Sequence, residues 1–364
     1  MARNLLKVRF LFTLVLRVLP RASFSISGAI YRAWLKGLPL GSSIWNGFAG
    51  ALITNTPPEQ LQAVLPSTLE TYEAWTLSHG VDHTVDVLAA DNATRLLWIG
   101  PRISKKVLLF FHGGGYVMPL SEAHLDWMTY LRREAISAGV DMSVCILEYD
   151  LIPTKRYPRQ MTQGIFALQH LLANGYRPSD IVFGGDSAGG HLSLCLMSHL
   201  HHQYPSEQGA KYAIDLQHPV KGCFLVSPLS SFDFSTPSYG RWFSADSLNR
   251  KVVDEWGQYL VDDSPWHEEI SAGYGWGMAL DVPQSWWDGF TAVDRILVTG
   301  GYEEVFGDHI QLLGEMLKTK CKGSVALHMA NGTHDEPLMD FGAKRPPSAT
   351  TRAIRDFVIA CFED

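Results

Sequence analysis

The sequence predicts an α/β fold in which a mostly parallel central sheet is covered by helices on both faces and topped by a helical cap. Three observations predict it. Short apolar runs alternate with stretches of helical length. Two of those runs end directly in glycine-rich turns, His112-Gly113-Gly114-Gly115 after 107–111 and Gly185-Asp186-Ser187-Ala188-Gly189-Gly190 after 181–183. The 364-residue length and a composition of 46% hydrophobic and 18% charged residues suit one large domain with additions.

Taken in order, residues 1–80 precede any strand and are read as a helical segment that contributes to the cap, with 81–364 as the main domain. Residues 83–90 and 94–99 resemble an initial antiparallel pair. The parallel run comprises 107–111, 144–149, 181–184, 222–226, 296–299 and 325–329, with helical patterns near 121–138, 158–174, 187–203, 308–321 and 348–362 between or after them. Residues 229–292 break the alternation and read as a lid insertion. That insertion holds Trp242, Trp256, Trp266, Trp276, Trp286 and Trp287, six of the chain's 11 tryptophans. Most of these rings are expected to pack the lid itself and some to line a pocket for a bulky apolar group.

The second turn fits G-x-S-x-G between a buried strand and a helix. This arrangement holds a serine in a strained conformation with small neighbours on either side. The helix that starts near Ser187 aims its free N–H groups at whatever reacts there. The first turn can supply backbone donors to an oxyanion from Gly113, Gly114 or Gly115, complementing the N–H of Ala188. Together the turns point to acyl transfer with Ser187 as nucleophile. Asp186 is expected to support the elbow, and His112 to position the glycine loop.

The HGGG and GDSAGG motifs, with Glu148-Tyr149-Asp150-Leu151-Ile152-Pro153 and Tyr157-Pro158 between them, resemble the hormone-sensitive-lipase-like branch of the α/β-hydrolase fold over roughly residues 80 to 362. The wording is most similar to fungal esterases related to steryl acetyl hydrolases. The resemblance implies a serine esterase acting on a small-molecule ester, without metal or organic cofactor.

In that fold the acid and then the histidine follow the serine along the chain. Among the histidines after Ser187, only His334 lies in a polar turn directly after a strand-like run, 324–329, so it is read as the base. His201 and His202 fall on what reads as an exposed stretch of the elbow helix, and His328 within a strand. For the acid, Glu304 with Asp308 reproduces the family's spacing after the strand 295–301, whereas the family more often carries Asp. Glu303 and Asp308 stay open as alternatives.

The formal charge of −7 and the lack of a long basic run argue against a nucleic-acid partner. Five cysteines without a C-x-x-C pair indicate neither a disulfide framework nor a zinc site, and fit a reducing, intracellular and cytoplasmic setting. Residues 10–16 are apolar but bracketed by Lys7, Arg9 and Arg17, too short a run for the ~20 residues that span a bilayer. Two readings fit that segment: an amphipathic helix across the site mouth, or peripheral membrane contact or a signal sequence. Oligomeric state is not legible. Two other functions compete with hydrolysis: a non-hydrolytic cyclase, condensing enzyme or acyltransferase, and a receptor that uses only the pocket. Intact Ser187 and His334 count against the receptor.

Overall fold

Continuous apolar runs make the strands, and their burial on both sides makes the sheet parallel at its centre. The computed structural model describes residues 2–102, 104–205, 210–241 and 244–363. Its strands are β1 (Thr84–Val87), β2 (Arg95–Ile99), β3 (Lys106–Phe111), β4 (Met142–Glu148), β5 (Ile181–Asp186), β6 (Val220–Val226), β7 (Val293–Gly301) and β8 (Ser324–Ala330). They form one sheet in the order β1-β2-β4-β3-β5-β6-β7-β8, antiparallel between β1, β2 and β4 and parallel from β4 onward. The expected mostly parallel sheet and the antiparallel opening pair are both present.

Five helices precede the sheet: α1 (Ala2–Thr13), α2 (Leu19–Lys36), α3 (Leu40–Asn55), α4 (Pro58–Val64) and α5 (Thr68–His79). Then come α6 (Glu122–Ser137), α7 (Arg159–Ala173), α8 (Ala188–His201), α9 (Arg250–Val261), α10 (Trp266–Ser271), α11 (Gly307–Lys320), α12 (Glu336–Gly342) and α13 (Ala349–Glu363). Alternation along β3 shows how the sheet is covered. Val107, Leu109 and Phe111 face a core shared with α7, α8 and α11, whereas Leu108 and Phe110 face one shared with α5, α6 and α13.

The register places the chemistry-bearing turns side by side. Phe111 pairs with Gly185 and Asp186 with Val226, so the turns after β3 and β5 leave the same edge of the sheet. The segments after β7 and β8 leave that edge too, since Gly301 pairs with Ala330.

The insertion between β6 and β7 carries α9 and α10 and is fastened to α8 by its tryptophans. The indole N–H of Trp276 donates to the His202 carbonyl at 2.5 Å, and that of Trp286 to Ser198 Oγ at 2.8 Å. Rings of Trp276 and Trp286 meet edge to face at 5.3 Å. His201 and His202 are accordingly half-buried instead of exposed, His202 lying 4.2 Å from the Trp286 ring. Trp242 lies outside the described residues.

The apolar run at 10–16 is not a short isolated segment. A π-helical turn at Leu14–Val18 joins α1 to α2 in one helix, Ala2–Lys36, of 35 residues. By length and composition alone that helix could cross a membrane, and only 11% of its most apolar window is buried. The basic residues read as its flanks lie within it.

Phe110 is fully buried and sits 5.4 Å from the ring of Trp127 and 6.3 Å from that of Phe224. Phe110→Ala should therefore cost about 3–5 kcal/mol of unfolding free energy, read as a lower urea midpoint at unchanged slope.

Candidate active site

Ser187 occupies the tight corner between β5 and α8 with φ 52° and ψ −113°, outside the regions an L-residue normally prefers. Its N–H donates to the Val226 carbonyl at 2.8 Å, and its own carbonyl accepts from His191 at 2.9 Å. The corner closes only because its neighbours are small: a Cβ on either Gly185 or Gly189 would run into the carbonyl oxygen of Phe111. The side chain of Ser187 thus stands at the N-terminus of a 14-residue helix.

Three side chains expected from the sequence meet in one line. His334 Nε2 lies 2.8 Å from Ser187 Oγ, and His334 Nδ1 lies 2.7 Å from Glu304 Oε2. Glu304 is fully buried, and its other oxygen accepts from the Gly301 N–H at 2.5 Å and from Ser227 Oγ at 3.0 Å. Those two donors hold the carboxylate in the tautomer-fixing position beside Nδ1. The alternatives face elsewhere. Glu303 points to the opposite side, where it binds Arg32 at 2.5 Å and Lys36 at 3.3 Å. Asp308 accepts the Ser238 N–H at 2.7 Å in the first turn of α11.

The glycine loop turns with three successive residues at positive φ: Gly114 at 99°, Gly115 at 61° and Tyr116 at 58°. Gly113 requires a correction. Its N–H donates to Asp186 Oδ1 at 2.9 Å, a buried charge-assisted bond, so it is committed and does not serve an oxyanion. Of the four residues expected to donate there, this removes only Gly113. Asp186 is itself fully buried and lies 3.3 Å from His124 Nε2 through its second oxygen, so it ties one glycine turn to the other. His112 orients its own loop through a 2.8 Å contact from Nδ1 to the Gly113 carbonyl, and burial pushes its imidazole down to about 3. The Tyr149 ring stacks on His112 at 4.4 Å, and its hydroxyl donates to the His112 carbonyl at 2.7 Å. This is what the tyrosine of the 148–153 stretch does.

The insertion between β6 and β7 reaches the site through Trp256. Its ring packs so closely on Gly115 that any β-carbon there would overlap it.

Two carboxyls were not singled out by sequence. Asp335, in the left-handed region at φ 51°, brings Oδ2 to 3.1 Å from His334 Nε2, the same nitrogen that faces Ser187. Burial, reinforced by Asp186, pushes the Asp335 carboxyl up to about 7 although His334 pulls it down. Asp246, raised to about 6 chiefly by burial, accepts the Val305 N–H at 2.8 Å and so fixes the turn that follows Glu304. For His334, burial disfavours the imidazolium, but the carboxylates of Asp335 and Glu304 outweigh it and raise the ring well above its ordinary value. Adjacency to His334 was the only signal for Asp335, and Asp246 gave none.

Comparison with known proteins agrees with this architecture. A family model described as the alpha/beta hydrolase fold matches residues 108–335. The carboxylesterase/phospholipase LipF of Mycobacterium tuberculosis is 36% identical over 114 residues, 30% of this chain and 29% of that protein. Human hormone-sensitive lipase (Homo sapiens) is 32% identical over 114 residues, 29% of this chain and 10% of that protein. The chain thus spans less than a third of the length of either relative. Among solved structures, a thermostable esterase from Pseudomonas putida superposes with a TM-score of 0.62 at 18% identity, covering 85% of this chain and 92% of that one.

The contact between Asp335 and Nε2 has a measurable consequence. In Asp335→Asn a negative charge beside the imidazolium is lost, so His334 should give up its proton at lower pH. The acid limb of the kcat/KM profile for a soluble ester should therefore move to lower pH. An unmoved limb would mean that Asp335 does not tune His334.

Proposed function

The chain belongs to the α/β-hydrolase fold family, and from that premise we propose that it is a serine carboxylesterase working through an acyl-enzyme at Ser187. The observation that carries the reading is the line from Glu304 through His334 to Ser187 Oγ, at 2.7 and 2.8 Å. His334 Nε2 takes the hydroxyl proton as Ser187 Oγ attacks the ester carbonyl, and Glu304 stabilises the imidazolium. The N–H groups of Gly114, Gly115 and Ala188 receive the developing oxyanion; losing one such donor typically costs about 3–4 kcal/mol. His334 then protonates the leaving alkoxide, and water activated by the same ring releases the acyl group.

Residues 1–80 and the insertion at 229–292 form the cap in this reading. The Trp256 ring against Gly115 makes the wall beside the oxyanion loop aromatic, which favours a bulky apolar acyl or natural-product ester over a small polar one. That LipF and hormone-sensitive lipase carry the names carboxylesterase/phospholipase and lipase supports the ester class.

Turnover of p-nitrophenyl acetate, butyrate and decanoate tests the assignment. Ser187→Ala should lower kcat by about 10⁴–10⁶. Glu304→Ala should lose ~10³–10⁴, whereas Glu303→Ala should stay within about tenfold of wild type. Equal losses in the two glutamate variants would remove Glu304 from the triad. A wild type that reacts with a serine-directed phosphonate yet hydrolyses no ester would exclude the esterase.

A further inference from the structure

The helices that open the chain pack inside out for a protein surrounded by water. The buried residues of α2 and α3 are small (Ala22, Gly28, Ala29, Ala33; Ser43, Asn46, Gly47, Ala51), and where the helices meet Ala22 and Ala51 share one cluster. The approach is close enough that a Cβ on Gly47 would come within 2.7 Å of Ile26 Cα. The large apolar side chains point outward instead. Leu11, Phe12, Leu16, Leu19, Trp34 and Trp45 are 49–74% exposed, and residues 5–45 supply fifteen of the 22 exposed large hydrophobic side chains among the described residues. Small residues between helices with large apolar ones outside is the pattern of helices packed in lipid, and so broad an apolar face is foreign to a monomer in water.

Charge points to the same surroundings. Residues 1–58 hold seven of the chain's Lys and Arg (Arg3, Lys7, Arg9, Arg17, Arg21, Arg32 and Lys36) and none of its Asp and Glu, in a protein whose net charge is −7. Arg32 and Lys36 pair with Glu303, and the remaining cations on an apolar, tryptophan-bearing surface of an otherwise acidic protein are complementary to an anionic lipid interface.

The same helix is held to the body at both ends. Arg3 Nε donates to the Ala63 carbonyl at 3.3 Å, Arg32 Nε to Glu303 Oε2 at 2.7 Å, and Asn331 Nδ2 to the Lys36 carbonyl at 3.0 Å. A helix tied at both ends lies along the protein, so it enters a bilayer in the plane of the interface and does not cross it. The cap it belongs to also touches the chemistry, since Asn46 Nδ2 donates to Thr333 Oγ1 at 2.9 Å, one residue before His334.

We propose that the outer face of α1–α3 is a docking surface for an anionic bilayer, on which the protein lies as a monotopic membrane protein. The ester it receives is then a lipophilic one dissolved in that bilayer. This last clause rests on the esterase reading; the docking does not.

Cosedimentation of the Ser187→Ala chain with sealed vesicles, of phosphatidylcholine alone or with about a third phosphatidylserine, reads docking without turnover. Binding should favour the anionic vesicles, and an added amino-terminal tag should stay open to external protease. In Leu16→Glu/Trp34→Glu binding should fall about tenfold or more. With Ser187 intact, that double variant should hydrolyse soluble p-nitrophenyl butyrate like wild type, which controls for folding. Hydrolysis of soluble esters without vesicle binding would overturn the docking and leave the esterase standing. Binding without ester turnover would uphold the docking and remove only the substrate clause. A protease-protected tag, a mature chain lacking residues 2–36, or a vesicle-indifferent dimer closed over this face would each overturn the proposal.

Discussion

The bond from the Gly113 N–H to Asp186 Oδ1 holds the reactive edge of the sheet together. A carboxylate without access to water costs several kcal/mol unless it is hydrogen-bonded, so fully buried Asp186 persists only while its partners stay in place. Those partners come from two different places. Gly113 belongs to the turn after β3, and His124 to the first turns of α6, where its Nδ1 also contacts Ser121 Oγ at 2.8 Å. One side chain adjacent to Ser187 thereby couples the elbow, the glycine loop and a covering helix. Register brings the turns near each other, and Asp186 fixes their relative orientation. Geometry of this kind must exist before substrate arrives if backbone donors are to act without reorganisation.

Local chemistry was legible in the sequence and long-range chemistry was not. Ser187 could be read from its own glycines, and His334 from a polar turn directly after a strand, because both signals lie within a few residues. Glu304 and Glu303 are neighbours in one turn, and their opposite directions are decided by Arg32 and Lys36 on one side and by His334 on the other. The nearer of those partners along the chain is 30 residues away and the Arg32 contact spans 271. The same distance hid the commitment of the Gly113 N–H, whose acceptor lies 73 residues on. At the start of the chain, Lys7, Arg9 and Arg17 looked like the ends of an apolar run. The π-turn at Leu14–Val18 just before Pro20 carries the helix through instead, and long basic side chains can lie along an apolar face with their heads in a polar layer.

Glu303 shows how the two ends of the argument meet. It does no chemistry in the proposed mechanism, yet it follows the strand that delivers Glu304 and anchors the helix whose outer face is apolar. Its backbone N–H also donates to the Gly332 carbonyl at 3.0 Å, in the loop that carries His334. The acid-bearing turn, the histidine loop and the first helices of the chain are thus braced by one residue.

Around that histidine the difficulty is an excess of negative charge. Glu304, Asp335 and Asp246 are all buried near one imidazole, and three carboxylates cannot be balanced by a single positive ring. Burial lifts Asp335 to about 7 and Asp246 to about 6, so each keeps its proton to higher pH than an exposed carboxyl does. Glu304 faces the Gly301 N–H, the Ser227 hydroxyl and His334 Nδ1. Environment therefore divides the labour among three chemically similar side chains. In the proposed mechanism, ionised Asp335 would compete with Ser187 for the proton on Nε2, whereas neutral Asp335 would leave that proton to the serine or to the departing alkoxide. In the proposed mechanism Ser187 Oγ and Asp335 Oδ2 thus share one nitrogen of His334.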